Sequence, residues 1–333
     1  MRQEILDLLL GKKLSNTPAF SGLIHVTAEG LQSEGISLPD AHTDAARMAR
    51  ASASTFKLSG LPSAVAPLDM CVEVEAIGSE IDFRENVEDG FPRVTKPLFP
   101  STKFITSEIG DSFEILHRGR IKLVCEALEL LKEDIGRDAV IGGMIPGPFT
   151  LLLFLIEPGG LFADMKRDPD AIRDALFHLS SFLSRVARVY RNAGADFITI
   201  HDMGGSPGFI GPSKYESFVF PAEKYLIEQL QKPCVLSVCG DTNKSLRLLA
   251  QTGADAISVD QLNNLAETRK TLTGSLLFGN IDPVQTLWQG DQAAIAEAVR
   301  VARQAGIDAI WPGCDLVPQT SIENLKAFVA ASH

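Results

Sequence analysis

The chain has 333 residues, of which 45% are apolar and 22% charged, and a formal net charge of −11. That much apolar chain can bury a sizeable core. The acidic excess excludes nucleic acid or an anionic membrane as the main partner, because phosphate binding needs clustered Lys and Arg. The first residues, "MRQEILDLLLGKKLSN", read as a short amphipathic helix without the apolar core and small-residue cleavage site of a signal peptide. No stretch reaches the roughly 18 uninterrupted apolar residues of a membrane span; "GGMIPGPFTLLLFLIEPGG" comes nearest and is broken by Pro and Gly. Five cysteines, an odd number spread along the chain, do not suggest a disulfide framework. A reduced, cytoplasmic protein is expected.

In chain order, a short apolar strand recurs, each after a helical pattern. The first is in "SAVAPLDM" (63–70), after "DAARMARASASTFKLSG". "AVIGGMIPGPF" (139–149) follows "RIKLVCEALELLKEDIG", and "ADFITIHDMGG" (195–205) follows a long amphipathic segment ending in "RVARVYRNAG". "CVLSVCGD" (234–241), "ADAISVDQ" (254–261), "GSLLFGNIDP" (274–283) and "IDAIWPGC" (307–314) continue the series. An eighth strand is expected in the weakly patterned 71–110 region. Apolar strands alternating with helices mean a parallel sheet covered by helices. Seven or eight such units predict a (β/α)8 TIM barrel, a single domain over 1–333 with an N-terminal helical extension. No GxGxxG follows any strand, which removes the dinucleotide fingerprint of an open doubly wound sheet.

A barrel of this kind carries its chemistry at the carboxyl ends of its strands. The polar residues there are His201, Asp202, Ser237, Cys239, Asp241, Asp260, Asn280, Asp282 and Cys314, with Asp69 and Glu73 beside the end of the first strand. Ser237 and Cys239 are two apart and share a strand face. Cys239 and Cys314 each end a strand, close enough on neighbouring strands for two thiolates to share one zinc ion. Asp260 can offer an oxygen, and His201 is the histidine at a predicted strand end. The competing reading is that free cysteines are small buried apolar side chains, and spacing alone leaves the two about even. Cys234, at the other end of its strand, and Cys125, on a helical pattern, read as structural, and His25, His42, His117 and His178 as loop or packing residues. Asn280 and Asp282, in "GNIDP", stand near an acceptor or cofactor face by strand-end position alone, and are as readily turn residues.

Longer stretches carry a resemblance. "LPDAHTDAARMARASASTFKLSGLPSAVAPLDMCVEVEAIGSEIDF", "GGMIPGPFTLLLFLI", "GADAISVDQ", "FGNIDPVQTL" and "AGIDAIWPGCDLVPQTSIENLKAFVAA" resemble the uroporphyrinogen decarboxylase superfamily, and within it the methylcobamide:coenzyme M methyltransferases. The resemblance runs from about residue 15 to the C-terminus. It implies a (β/α)8 barrel with zinc at the strand ends, a methylated corrinoid protein as methyl donor, and a thiol acceptor held as thiolate. The family's zinc motif is His-x-Cys, a distant acidic residue and a late Cys. It implies Cys239, Asp260 and Cys314 as ligands, with Ser237 where the family has histidine. A hydroxyl is a poor zinc ligand beside imidazole. Either His201 replaces it from the neighbouring strand, or Cys239, Asp260 and Cys314 hold the metal with water, or the site holds none. The resemblance also leaves two alternatives. Uroporphyrinogen decarboxylase itself would use Asp69 as its catalytic carboxylate, yet "HVTAEGLQSEG" lacks the arginines that clamp a polycarboxylate there. A non-catalytic barrel that binds the corrinoid protein is the other.

Overall fold

The computed structural model describes residues 1–85, 90–109 and 113–332. The main strands are β1 (Ser63–Ala66), β4 (Val140–Pro146), β5 (Phe197–Asp202), β6 (Cys234–Val238), β7 (Ala256–Val259), β8 (Leu276–Ile281) and β9 (Ala309–Pro312). All pair in parallel in the order β1-β4-β5-β6-β7-β8-β9. Two further strands, β2 (Ile81–Asp82) and β3 (Arg93–Val94), pair only with each other, antiparallel. Among the described residues, no helix is long and apolar enough to cross a membrane.

Side chains alternate along each strand between two apolar layers, so the strands read as continuous apolar runs. Ile198, Ile200, Leu236, Val238, Ile257, Val259 and Leu277 join the layer under the helices. Val140, Phe197, Val235, Ala256, Phe278, Ala309 and Trp311 face the other way, into a smaller cluster inside the curl of the sheet. Ile5, Leu8 and Leu9 of the Arg2–Leu9 helix close this inner cluster. The covering helices begin at side-chain caps: Asp168, Asp291 and Ser321 each accept the backbone N–H three residues on, starting the helices Pro169–Asn192, Gln292–Gln304 and Ile322–Ala331.

The eighth strand expected in 71–110 is not there among the described residues: β2 and β3 are two residues each and stand apart from the main sheet. The space between the edge strands β9 and β1 is taken by residues 18–25. Phe20 N–H donates to Ile310 O at 3.3 Å, Ile310 N–H to Pro18 O at 2.9 Å, and Ser21 N–H to the Ser63 hydroxyl at 2.9 Å. The fit depends on Gly22, where a Cβ would lie 2.3 Å from Thr199 Oγ1 and 2.5 Å from the Trp311 ring. The Phe20 ring sits among Trp311, Phe278 and Phe197, with centroids 5.2, 5.5 and 6.2 Å away. This aromatic plug is the floor beneath the strand ends.

The amino-terminal ends of the strands share one device. Asp196, Asp255 and Asp308 lie just before β5, β7 and β9, and each accepts the backbone N–H of a residue on the preceding strand. The donors are Ile141 at 2.9 Å, Cys234 at 2.9 Å and Leu277 at 2.8 Å. Each carboxylate also meets cations: Arg2 and Lys132 at Asp196, Lys232 at Asp255, Arg269 at Asp308.

Candidate metal centre

At the opposite end, β5, β6 and β9 deliver three chemically distinct side chains to one point. His201 is the fifth residue of β5, Cys239 follows β6 directly, and Cys314 comes two residues after β9. One ring nitrogen of His201 and the two sulfurs all lie within 4.8 Å of one another. A required glycine flanks each cysteine, Gly240 after Cys239 and Gly313 before Cys314. Gly240 sits at φ +81°, and a Cβ at Gly313 would lie 2.6 Å from Gln261 Oε1 and 2.9 Å from Gln261 N. The turn after β6 is further held by the Ser206 hydroxyl, which donates to Cys239 O.

The two sulfurs are 2.7 Å apart and are not joined in a disulfide. Two sulfurs on a tetrahedral zinc stand about 3.8 Å apart, so metal entry would spread the pair by about 1 Å. As protonated groups the two are unlike. The Cys239 thiol, donating to Cys314, pushes the latter down to about 6 against the pull of burial, with help from His201. Cys239 keeps its proton and is driven far up by that same bond and by burial. Burial alone would lower His201; the Asp315 carboxylate and Cys314 reverse this and push it up to about 10. The result is an imidazolium–thiolate pair capped by a thiol. The ring is fully buried, and neither of its nitrogens has a hydrogen-bond partner. Two soft sulfurs and an imidazole with unspent nitrogens are the donor chemistry of zinc, so the residues fit the group the resemblance implies.

The other sequence-derived candidates are placed as follows. Ser237 pairs in register with His201 across β5 and β6, and its hydroxyl is buried without a partner. Asp260 lies outside the 4.8 Å group, and its Oδ1 accepts the Leu262 N–H at 2.9 Å. Asn280 donates to Asp260 O and Asn263 O, holding the loop after β7. Asp282 accepts the N–H groups of Val284 and Gln285, both at 2.8 Å, and so caps the Pro283–Trp288 turn. Asp241 accepts from Asn243. Asp202 faces away from His201 and accepts from Thr150 Oγ1 and Gly205 N. Burial raises it, and raises Glu223, which faces it, well above the carboxylate range.

Asp69 belongs to a different, closed cluster. Arg120 meets it at 2.6 and 3.1 Å, His42 at 2.9 Å, and Cys71 N–H donates to its Oδ1 at 2.8 Å. Burial works to raise it, but the Arg120 guanidinium and His42 hold it well below the carboxylate range. Beside it, burial pushes Glu73 up to about 8, so that it accepts from Tyr190 as a near-neutral acid. The residues that sequence reading missed are Arg120, Tyr190, Glu223 and above all Asp315, whose Oδ2 lies 3.5 Å from His201 Nε2. Its place directly after Cys314 was the available signal.

The rim carries exposed apolar side chains. Met203 and Phe209 follow β5, Leu262 follows β7 and Trp288 follows β8.

Comparison with known proteins bears on all of this. The family model described as uroporphyrinogen decarboxylase (URO-D) matches residues 1–333. A methylcobamide:CoM methyltransferase, MtaA, of Methanosarcina barkeri is 30% identical over 333 residues, covering 99% of this chain and 97% of that protein. The MtbA enzyme of Methanosarcina acetivorans, of the same description, is 28% identical over 331 residues, covering 98% and 96%. A solved methyltransferase structure from Methanosarcina mazei superposes with a TM-score of 0.94 at 28% identity, covering 99% of this chain and 97% of that one.

Proposed function

The chain belongs to the uroporphyrinogen decarboxylase (URO-D) family, and we propose that within it the protein is a corrinoid- and zinc-dependent methyltransferase. It would move a methyl group from a methylated corrinoid protein to a small thiol of the coenzyme M kind. We read the molecule as one (β/α)8 barrel domain over 1–333, its eighth position filled by residues 18–25 and its far end closed by the Arg2–Leu9 helix. The observation that carries the reading is the meeting of His201, Cys239 and Cys314 at the carboxyl ends of three strands.

In this reading His201, Cys239 and Cys314 hold the metal, with His201 standing in for the histidine the family has at position 237. Asp260 would then serve from outside the donor set, and Asn280 and Asp282 by shaping the loops through their backbone bonds. A bound zinc would lower the pKa of an acceptor thiol, so that its thiolate is available at neutral pH. The aromatic plug of Phe20, Phe197, Phe278 and Trp311 closes the site from below, leaving the strand-end mouth as the approach for both substrates. The exposed Met203, Phe209, Leu262 and Trp288 suit that mouth to an apolar partner surface. The acceptor sulfur would attack the methyl carbon, forming C–S as Co–C breaks, with both electrons left on the corrinoid and the thiol proton released to water.

The decarboxylase alternative needs Asp69 free to meet a substrate, whereas both of its oxygens are taken by Arg120, His42 and Cys71 N. The test is to mix zinc-loaded protein with methylcobalamin and 2-mercaptoethanesulfonate, and then with other small thiols. Loss of the methylcobalamin spectrum with formation of the methyl thioether is expected. No transfer to any thiol, with zinc bound, would refute the reading and leave the non-catalytic corrinoid-binding barrel.

A further inference from the structure

His201 reaches the sulfurs from β5, the strand beside the one that ends in Cys239. Both nitrogens are buried without a hydrogen-bond partner. Asp202, the next residue on β5, acts on His201 through its charge, and Asp315 reaches the ring with Oδ2 at 3.5 Å from Nε2. The other oxygen of that carboxylate is already fixed: Oδ1 accepts the Ile24 N–H at 2.8 Å, tying it to the segment that fills the gap between β9 and β1. Asp315 is therefore anchored on one side and directed at the imidazole on the other.

Building on the metal-site reading above, we propose that Asp315 is a positioning residue for His201. Its carboxylate takes the Nε2–H when metal binds, which keeps the proton on Nε2 and presents Nδ1 to the metal. A neutral imidazole carries one N–H, and the partner of one nitrogen decides which atom is free to ligate. The 3.5 Å separation is longer than a good N–H···O bond. Asp260, the carboxylate that position in the chain would nominate, is instead committed to the turn at Leu262. The consequence is specific to this arrangement: a histidine on β5 serves in place of one on β6 because a carboxylate across the mouth sets its ring.

The test uses Asp315→Asn on the full chain. The amide keeps the size and can still accept from Ile24 N–H, but it can turn its NH2 toward Nε2 and so favour the wrong tautomer. Zinc affinity, measured by competition with a chromophoric chelator, is expected to fall about 10–100-fold. The visible bands of the cobalt(II)-substituted protein are expected to shift. Nitrogen-15 NMR of the zinc-loaded wild type is expected to show His201 protonated at Nε2 and metal-bound at Nδ1. Asp315→Glu should restore most of the affinity, which a variant that simply misfolds would not do. An unchanged affinity and cobalt spectrum in Asp315→Asn would overturn the proposal, as would metal bound at Nε2. These outcomes differ from failure of the underlying reading, which would appear as a wild-type protein that takes up no zinc.

Discussion

The two ends of the strands are built from the same sheet by opposite rules. At the amino-terminal end Asp196, Asp255 and Asp308 each accept a backbone N–H of the preceding strand and each meet at least one cation. At the carboxyl end the buried imidazole of His201 and the hydroxyl of Ser237 have no hydrogen-bond partner, and two cysteine sulfurs lie 2.7 Å apart. Buried polar groups without partners cost stability and persist where another task needs them. One end ties the strands together; the other leaves buried polar groups unpaired.

Substitutions at each end should therefore separate stability from activity. The largest effect is expected for Cys239→Ser and Cys314→Ser, which should abolish methyl transfer while leaving the melting temperature of the metal-free protein little changed. Unfolding of either variant would show that the thiols are ordinary core groups. Next comes Asp196→Ala, which removes an acceptor for Ile141 N and the partner of Arg2 and Lys132. It should cost about 2–4 kcal/mol in denaturant unfolding, with zinc content unchanged.

A third contrast is in pH. In metal-stripped protein the Cys239 thiol and His201 push Cys314 down from the ordinary thiol range, so its alkylation by iodoacetamide should rise with a midpoint below that range. The depressed pKa means that the stability it contributes is present above about 9, its value when unfolded, and is lost as pH falls through about 6. An alkylation midpoint near the ordinary thiol value would break the imidazolium–thiolate pair. The smallest effect is expected away from the His201–Cys239–Cys314 cluster, at Glu73, where burial pushes the carboxyl up to about 8. Its contribution is complete below about 4.5 and lost as pH rises through about 8. Glu73→Gln should thus be near neutral in acid and flatten the alkaline fall in stability, as followed by thermal melts across that range.

The strands were legible because β4 to β9 are apolar on both faces and bounded by helices with clear periodicity. The 63–70 and 139–149 expectations contain β1 and β4 as observed. The filler of the eighth position was not legible. "PAFSGLI" makes one bridge, between Ala19 and Ile310, and depends on the close approach of Gly22, features that resemble a loop when read alone. The Asp before β5, β7 and β9 recurs visibly as "GAD", "GAD" and "GID", but its partner is a backbone N–H on another strand, which no local pattern reveals. At the carboxyl end, strand-end position singled out His201, Cys239 and Cys314, which the fold brings together. It equally nominated Asn280 and Asp282, which the fold uses to hold backbone. Asp315 was hidden because its partners, Ile24 and His201, are both far away in the chain.

The most direct measurement is metal analysis with X-ray absorption at the zinc edge, on protein purified without chelator and on the two cysteine variants. The account predicts about one equivalent of zinc per wild-type chain, with sulfur scatterers near 2.3 Å that are reduced in Cys239→Ser and Cys314→Ser. A wild-type chain that holds and takes up no zinc, or full zinc retention in both variants, would contradict it.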